Sequence, residues 1–474
     1  MFTKSMVLLF VLLCSISGAF AQGVEAGKLP DDVRGKRVSA FLKLVNSTDD
    51  ETLREFVSKE MAPNRDLPLE QRVNRFRQLR ENVGPATLRR VLDIGRAEIN
   101  FLLETKKGDW LKVRLELDPD SQSQIAGLQM DRTDATAMQS SAAPQARINE
   151  ADLAQTIENY LNGLVKADEF SGVVLVAKNG LPVFTKAYGL ASKEFEVPNR
   201  LDTKFNLGSL NKLFTTLAIG QLADSGKLSF DDPIGKYLPD YPNRQSVEKV
   251  TIKHLLTMSS GIGDFFGEKY EATAKDGLGT LKDFLPLFAG EPLGFEPGTK
   301  RKYSNGGYIV LGLIIEKASG ENYFDYVRDH IFKVAGMDNT GHYEANAVVP
   351  NLASGYSRRL APGNGPRLNN IFSRPLRGSS AGGGYSTVED LLKFANALDS
   401  KKLSIPASLA ANVPDIPGGG LASGVGAAGG APGLNAEFDT KVTGVYTIVV
   451  MSNYDPPAAE KVGKQIRSWL TGRN

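Results

Sequence analysis

The stretch Phe205-Asn206-Leu207-Gly208-Ser209-Leu210-Asn211-Lys212-Leu213-Phe214 sets a serine at the opening of a helical pattern and a lysine three places later. Residues at i and i+3 share one face of an α-helix, so the Lys212 amine can reach the Ser209 hydroxyl. Serine is a weak nucleophile until a base takes its proton. An amine serves as that base when burial or a second cation lowers its pKa. A position at the N-terminal end of the helix also favours the negative charge that develops during attack. Ser-x-x-Lys recurs by chance in many sequences, so the surrounding chain has to decide its meaning.

Working outward, Glu150 to Ala167 reads as a helix, and the apolar run Ser171 to Ala177 as a strand. Leu181 to Gly189 is its partner, because Lys178-Asn179-Gly180 between apolar runs is a hairpin signal. Beyond Ser209 the pattern is mainly helical: Leu210 to Ala223, Thr251 to Met258, Leu281 to Leu287, Tyr308 to Ala318, Tyr323 to Val334 and residues 387–400. Strands return near Leu434 to Thr440 and Val442 to Met451, before a closing helix from Pro457 to Leu470. Strands at both ends predict an α+β domain over residues 150–474, with one antiparallel sheet, flanking helices and an all-helical lobe. The cleft between sheet and lobe is the expected place for a site.

A second stretch bears on that site. Phe295-Glu296-Pro297-Gly298-Thr299-Lys300-Arg301-Lys302-Tyr303-Ser304-Asn305 is a turn-rich loop feeding a helix. A loop tyrosine beside a lysine can share a proton with it, the more readily if cationic neighbours lower the phenol's pKa. Asn305 can donate a hydrogen bond to a substrate amide or carbonyl. Ser209-Leu210-Asn211-Lys212 and Tyr303-Ser304-Asn305, about 94 residues apart, together resemble the serine β-lactamase and penicillin-binding-protein superfamily, and more closely its class C β-lactamase-related serine hydrolases. Thr251 to Gly261 and Ser380 to Thr387 add to the likeness, which covers about residues 150–470. The resemblance implies a β-lactamase/transpeptidase-like fold, with Ser209 as the acylated nucleophile, Lys212 as its base partner and Tyr303 as the proton relay to the leaving group. It also implies small esters, amides or D-amino-acid peptides as substrates, and no cofactor.

In that superfamily a third element, Lys-Thr-Gly or His-x-Gly on an edge strand, supplies a polar side chain and a backbone N–H for the oxyanion. The matching stretch is Gly426-Ala427-Ala428-Gly429-Gly430-Ala431-Pro432-Gly433, and Ala427 stands where His or Lys belongs. The Gly430 N–H can still serve, since a backbone donor needs no particular side chain. Gly429 and Gly430 are therefore expected at the oxyanion position. The missing cation removes a partner for Tyr303 and for a substrate carboxylate, which favours neutral acyl substrates. It also keeps open a second reading, a binding or sensor protein that has retained the fold and its cleft. The glycine-rich run from Gly418 to Gly433 is expected to make a poor strand.

Other features narrow the class. Lys4, the apolar Met6 to Leu13 and Ala19-Phe20-Ala21 read as a signal peptide over residues 1–22, implying a periplasmic or secreted protein. Its apolar core is too short to span a bilayer. The single cysteine, Cys14, lies inside it, so the rest of the chain holds no thiol. Net charge of +2 without a basic run argues against nucleic acid as a partner. Residues 31–131 read as three helices followed by an antiparallel meander, an element order that resembles the cone-shaped nuclear-transport-factor-like fold. This is an expected accessory domain, joined by a linker at residues 132–149. Gly378-Ser379-Ser380-Ala381-Gly382 matches a nucleophile elbow, but no strand precedes it and no histidine lies beyond His342. His254, His330 and His342 are scattered, so no metal site is expected. The sequence leaves the oligomeric state open.

Overall fold

The computed structural model describes residues 28–62, 68–94, 98–118, 123–133, 148–361, 365–412 and 426–472. The signal peptide expected at 1–22, most of the linker expected at 132–149, and residues 418–425 of the glycine-rich run lie outside them. The chain divides into two compact units, Met1–Ala143 and Pro144–Asn474.

The first unit opens with helices α1 (Val33–Asn46), α2 (Asp50–Glu55) and α3 (Leu69–Val83). Asp32 and Asp49 cap the first two through their carboxylates, satisfying orphan N–H groups of the first turn. Strands β1 (Ala86–Ile94), β2 (Glu98–Thr105), β3 (Trp110–Leu117) and β4 (Ile125–Thr133) follow as a four-stranded antiparallel meander. In β3 buried and exposed residues alternate, so one face of the sheet carries the core. Phe41 of α1 meets Phe101 of β2 edge-on at 6.3 Å in that core.

The second unit has three layers. Helix α4 (Glu150–Lys166) precedes strands β5 (Gly172–Lys178) and β6 (Leu181–Tyr188). The connecting Asn179 and Gly180 both take positive φ, at 51° and 76°, as the right-handed twist of a two-residue hairpin demands. Then come α5 (Lys212–Asp224), α6 (Asn305–Ser319) and α7 (Val388–Asp399), with shorter turns between them. The chain closes with β7 (Gly426–Ala431), β8 (Leu434–Val442), β9 (Tyr446–Ser452) and α8 (Ala458–Thr471). The sheet order is β7-β8-β9-β5-β6, antiparallel throughout, so its halves come from opposite ends of the unit.

Strand periodicity sorts the core. Val173, Leu175 and Ala177 of β5 pack into the helical lobe with Val449 and Met451 of β9. The alternate residues Val174, Val176, Ile448 and Val450 pack against Leu153, Ile157, Val462 and Ile466 of α4 and α8. The glycine-rich run does form a strand over Gly426–Ala431, which corrects the expectation of poor pairing: β8 supplies the apolar packing that β7 lacks.

Helix α5 is the axis of the lobe, with every residue from Lys212 to Gly220 buried. Phe214 meets Phe332 at 4.9 Å and Phe394 at 5.2 Å, both edge-on. Phe214→Ala is expected to remove about 3–5 kcal/mol of stability, read as a lowered midpoint in urea unfolding.

Candidate active site

Ser209 lies in a 3-10 turn, Gly208–Asn211, that leads directly into α5. Gly208 takes φ +50°, a left-handed conformation that suits glycine, and its N–H is held by the Asn206 side chain at 2.9 Å. Phe205 and Asn206 pair with Ser386 and Tyr385, while the Leu207 N–H donates to the Gly384 carbonyl at 2.7 Å. The serine turn is thereby pinned on both sides.

One helical turn brings the Lys212 Nζ to 3.1 Å from the Ser209 Oγ. The amine also lies 2.7 Å from the Asn305 Oδ1 and 2.5 Å from the Ala381 carbonyl. A charged amine has three N–H groups for these three oxygens; a neutral one keeps two for the carbonyls and turns its lone pair to the serine hydroxyl. Lys212 is 7% exposed. Burial pulls its pKa down to about 7, with Asp264 opposing the shift. The rings of Tyr303 and Tyr308 stand 4.8 and 5.4 Å from the amine, placing π faces where its cationic form arises.

Tyr303 donates its hydroxyl proton to the Ser209 Oγ at 2.7 Å. Although the residue is 50% exposed, desolvation raises its pKa above the usual 10.0, and the serine contact only partly offsets this. The phenol therefore stays protonated at neutral pH, unlike the lowered pKa that cationic neighbours would give. Asn305 begins α6, with Ser304 as the cap accepting from the Gly307 N–H. Its amide Nδ2 donates to the Asp264 Oδ2 at 2.8 Å while its oxygen takes Lys212, so the buried amide serves the lysine rather than standing open to a substrate.

Gly429 and Gly430 come to the same place. A Cβ on Gly429 would stand 2.0 Å from the Leu207 carbonyl and 2.8 Å from the Ser209 nitrogen, so only glycine allows β7 to approach this closely. The Gly430 nitrogen is 2.9 Å from where a Gly208 Cβ would be, which puts it beside the serine turn. Alternation sets Ala427 on the same face of β7 as Gly429, partly buried against the lobe.

Two contributors escaped the sequence reading. Asp264 follows Gly261-Ile262-Gly263, a turn signal that marks a loop without revealing its partner. The segment first set aside as an elbow is the backing of the site: the Ser379, Ser380 and Ala381 carbonyls accept from Asn211, Thr215 and Lys212. Neither serine is accessible, and the Ser380 hydroxyl donates to the Tyr308 carbonyl. His254 closes a capping box with Thr251, and His330 meets Glu321 at 2.9 Å. Burial among Tyr323, Phe324 and Phe332 pulls His342 down to about 3. Among the described residues no His, Cys, Asp and Glu cluster is fit for a metal, and no helix is long and apolar enough to cross a membrane.

Known proteins are similar to a large part of this chain. A putative penicillin-binding protein, PbpX of Bacillus subtilis, is 34% identical over 264 residues, covering 55% of this chain and 61% of its own. Penicillin-binding protein 4* of the same organism is 34% identical over 189 residues, or 40% of this chain and 41% of its own. The chain thus spans about half the length of these curated relatives. The crystal structure of a penicillin-binding protein from Bacillus halodurans superposes with a TM-score of 0.58 at 32% identity, covering 65% of this chain and 99% of that one. A D-amino acid amidase from Ochrobactrum anthropi, TM-score 0.57 at 23% identity over 68% of this chain and 98% of that one, shares the fold. The Beta-lactamase family model matches residues 153–467, the whole sheet-and-lobe core around Ser209, and the chain belongs to that family.

Proposed function

We propose that this protein is an exported serine hydrolase that acts on small neutral esters or amides through an acyl-Ser209 intermediate. The observation that carries the reading is the convergence of Lys212 and Tyr303 on one oxygen, at 3.1 and 2.7 Å from the Ser209 Oγ. Lys212, neutral above about pH 7, takes the serine proton as Oγ attacks the carbonyl carbon. The N–H groups of Ser209 and Gly430 receive the oxyanion. Tyr303 gives its proton to the departing alcohol or amine and is left as a phenolate, while the Lys212 ammonium keeps the serine proton until Oγ takes it back on leaving the acyl group. Water then attacks the ester with its proton passing to the same pair, and Ser209 is released.

Relatives support the class. The chain matches Esterase EstB of Burkholderia gladioli at 29% identity over 293 residues, covering 74% of that protein. Export is the reading of residues 1–22, whose charge, apolar core and small-x-small site fit a signal peptide and a periplasmic or secreted location. The unit at residues 31–131 is taken as an accessory domain. Ala427 favours neutral substrates over carboxylate-bearing β-lactams, and it is also what favours the alternative, a binding or sensor protein with a retained cleft.

A fluorophosphonate separates the two. Intact-mass analysis is expected to find one adduct on the wild type and none on Ser209→Ala, with ester turnover lowered about 10^4-fold or more in that variant. An unmodified wild type would favour the binding protein, and faster hydrolysis of a β-lactam than of p-nitrophenyl esters would overturn the neutral-substrate reading.

The pH profile follows from the two proton carriers. Lys212 must be neutral and Tyr303 protonated, so kcat/KM is expected to rise with a midpoint near pH 7 and hold to beyond pH 10. Because the Asp264 charge raises the lysine's pKa, Asp264→Asn is expected to move that midpoint to lower pH. Gly429→Ala forces β7 off the serine turn, and a loss of about 10²–10³ in acylation rate with an unchanged far-UV spectrum is the expected outcome.

A further inference from the structure

We propose that Phe266 and Phe372 form an apolar clamp at the mouth of the Ser209 site, selecting uncharged substrates whose acyl group is a medium-length alkyl or aryl chain; this rests on the hydrolase reading above and names the substrate class of that same site. Phe266 is 53% exposed and Phe372 is 90% exposed, while most other phenylalanines of this unit are buried. A single exposed ring is ordinary. Each of these two lies on a segment tied by hydrogen bonds to elements that carry the site.

Phe266 belongs to the Asn305 wall. Its backbone N–H donates to the Asp264 Oδ1 at 3.0 Å, and the other oxygen of that carboxylate holds the Asn305 amide that holds Lys212. Its ring leans on Tyr270 at 4.9 Å, so the exposed face is propped rather than loose. Phe372 belongs to a loop that joins this wall to β7. At one end the Asn370 amide donates to the Pro432 carbonyl at 2.9 Å, two residues past Gly430. At the other the Tyr270 hydroxyl donates to the Ser373 carbonyl at 3.2 Å. Contacts thus link Ser209, Lys212, Asn305, Asp264, Phe266, Tyr270 and the Phe372 loop, which reaches the turn after β7 through Asn370.

Charge points the same way. Position 427, on the face of β7 turned to the serine, is an alanine packed on the lobe, so β7 offers no cation to an anionic acyl group. Ile371 beside Phe372 is 47% exposed and extends the apolar rim. An alkyl or aryl chain leaving the acyl carbon can cover these rings and remove apolar surface from water, whereas an acetyl group is too short to reach them.

The test uses the full-length protein and two substrates with one leaving group, p-nitrophenyl acetate and p-nitrophenyl octanoate. Wild type is expected to prefer octanoate in kcat/KM. Phe372→Ser and Phe266→Ser are each expected to lower the octanoate-to-acetate ratio about five- to tenfold. Phe372 projects into solvent, so its variant keeps the test decisive should Phe266→Ser prove unstable. Equal changes on both esters in the Phe372 variant, or a wild type that favours acetate, would overturn the clamp and leave the hydrolase standing. A wild type that turns over neither ester and takes no fluorophosphonate would overturn the hydrolase reading and the clamp with it.

Discussion

The burial of one amine governs this structure. A lysine taken out of water loses its hydration, and the interior answers either by supplying a counter-charge or by releasing the proton. Among the described residues no carboxylate is in contact with Lys212; Asp264 reaches it across the Asn305 amide. What surrounds the amine is two carbonyl oxygens and one hydroxyl. That set fits the neutral and the charged state equally, which is the property a base needs. A proton can arrive and leave without any atom having to find a new partner, so little reorganisation opposes the transfer.

The lobe is built to make that burial possible. Helix α5 is packed among α6, α7, the turns around Phe332 and the sheet, so the residues of its first turn are buried. The three acceptor carbonyls of residues 379–381 are all taken by side chains of this one helix and its leading turn. Close approach supplies the other half. β7 reaches the serine turn because it lacks a side chain at Gly429, while β8 holds it by pairing from Gly426 to Ala431. Weak strand chemistry and close approach to the serine turn are therefore the same feature seen twice.

The chemistry-bearing residues were legible because their spacing is local. Ser209 and Lys212 meet across one helical turn, and apolar runs marked β5 and β9 before and after the lobe in the chain. Tyr303 could be placed only through the family resemblance, because nothing in a loop sequence fixes a partner 94 residues away. Asp264 and the Ala381 carbonyl were illegible for a plainer reason. One is an ordinary loop acid and the other a backbone oxygen that any residue would supply, so neither leaves a mark in composition or period. The Gly-x-Ser-x-Gly match, set aside as an elbow, has another use: its Gly382 packs closely against the serine turn.

Ala427 acquires a physical meaning in this frame. A cation there would stand on the face of β7 that Gly429 presents to the serine turn. On the proposed reading, a second positive charge on that face would lower the lysine's pKa further and leave the ammonium less stable. With alanine in place, the depression of Lys212 comes from burial first, and the nearby tyrosine rings stabilise the ammonium that attack creates. Tyr303, without a second cation, remains a proton donor. On the proposed reading the electrostatic work is concentrated on the reacting atoms, and recognition of the rest of the substrate falls to shape and apolar contact.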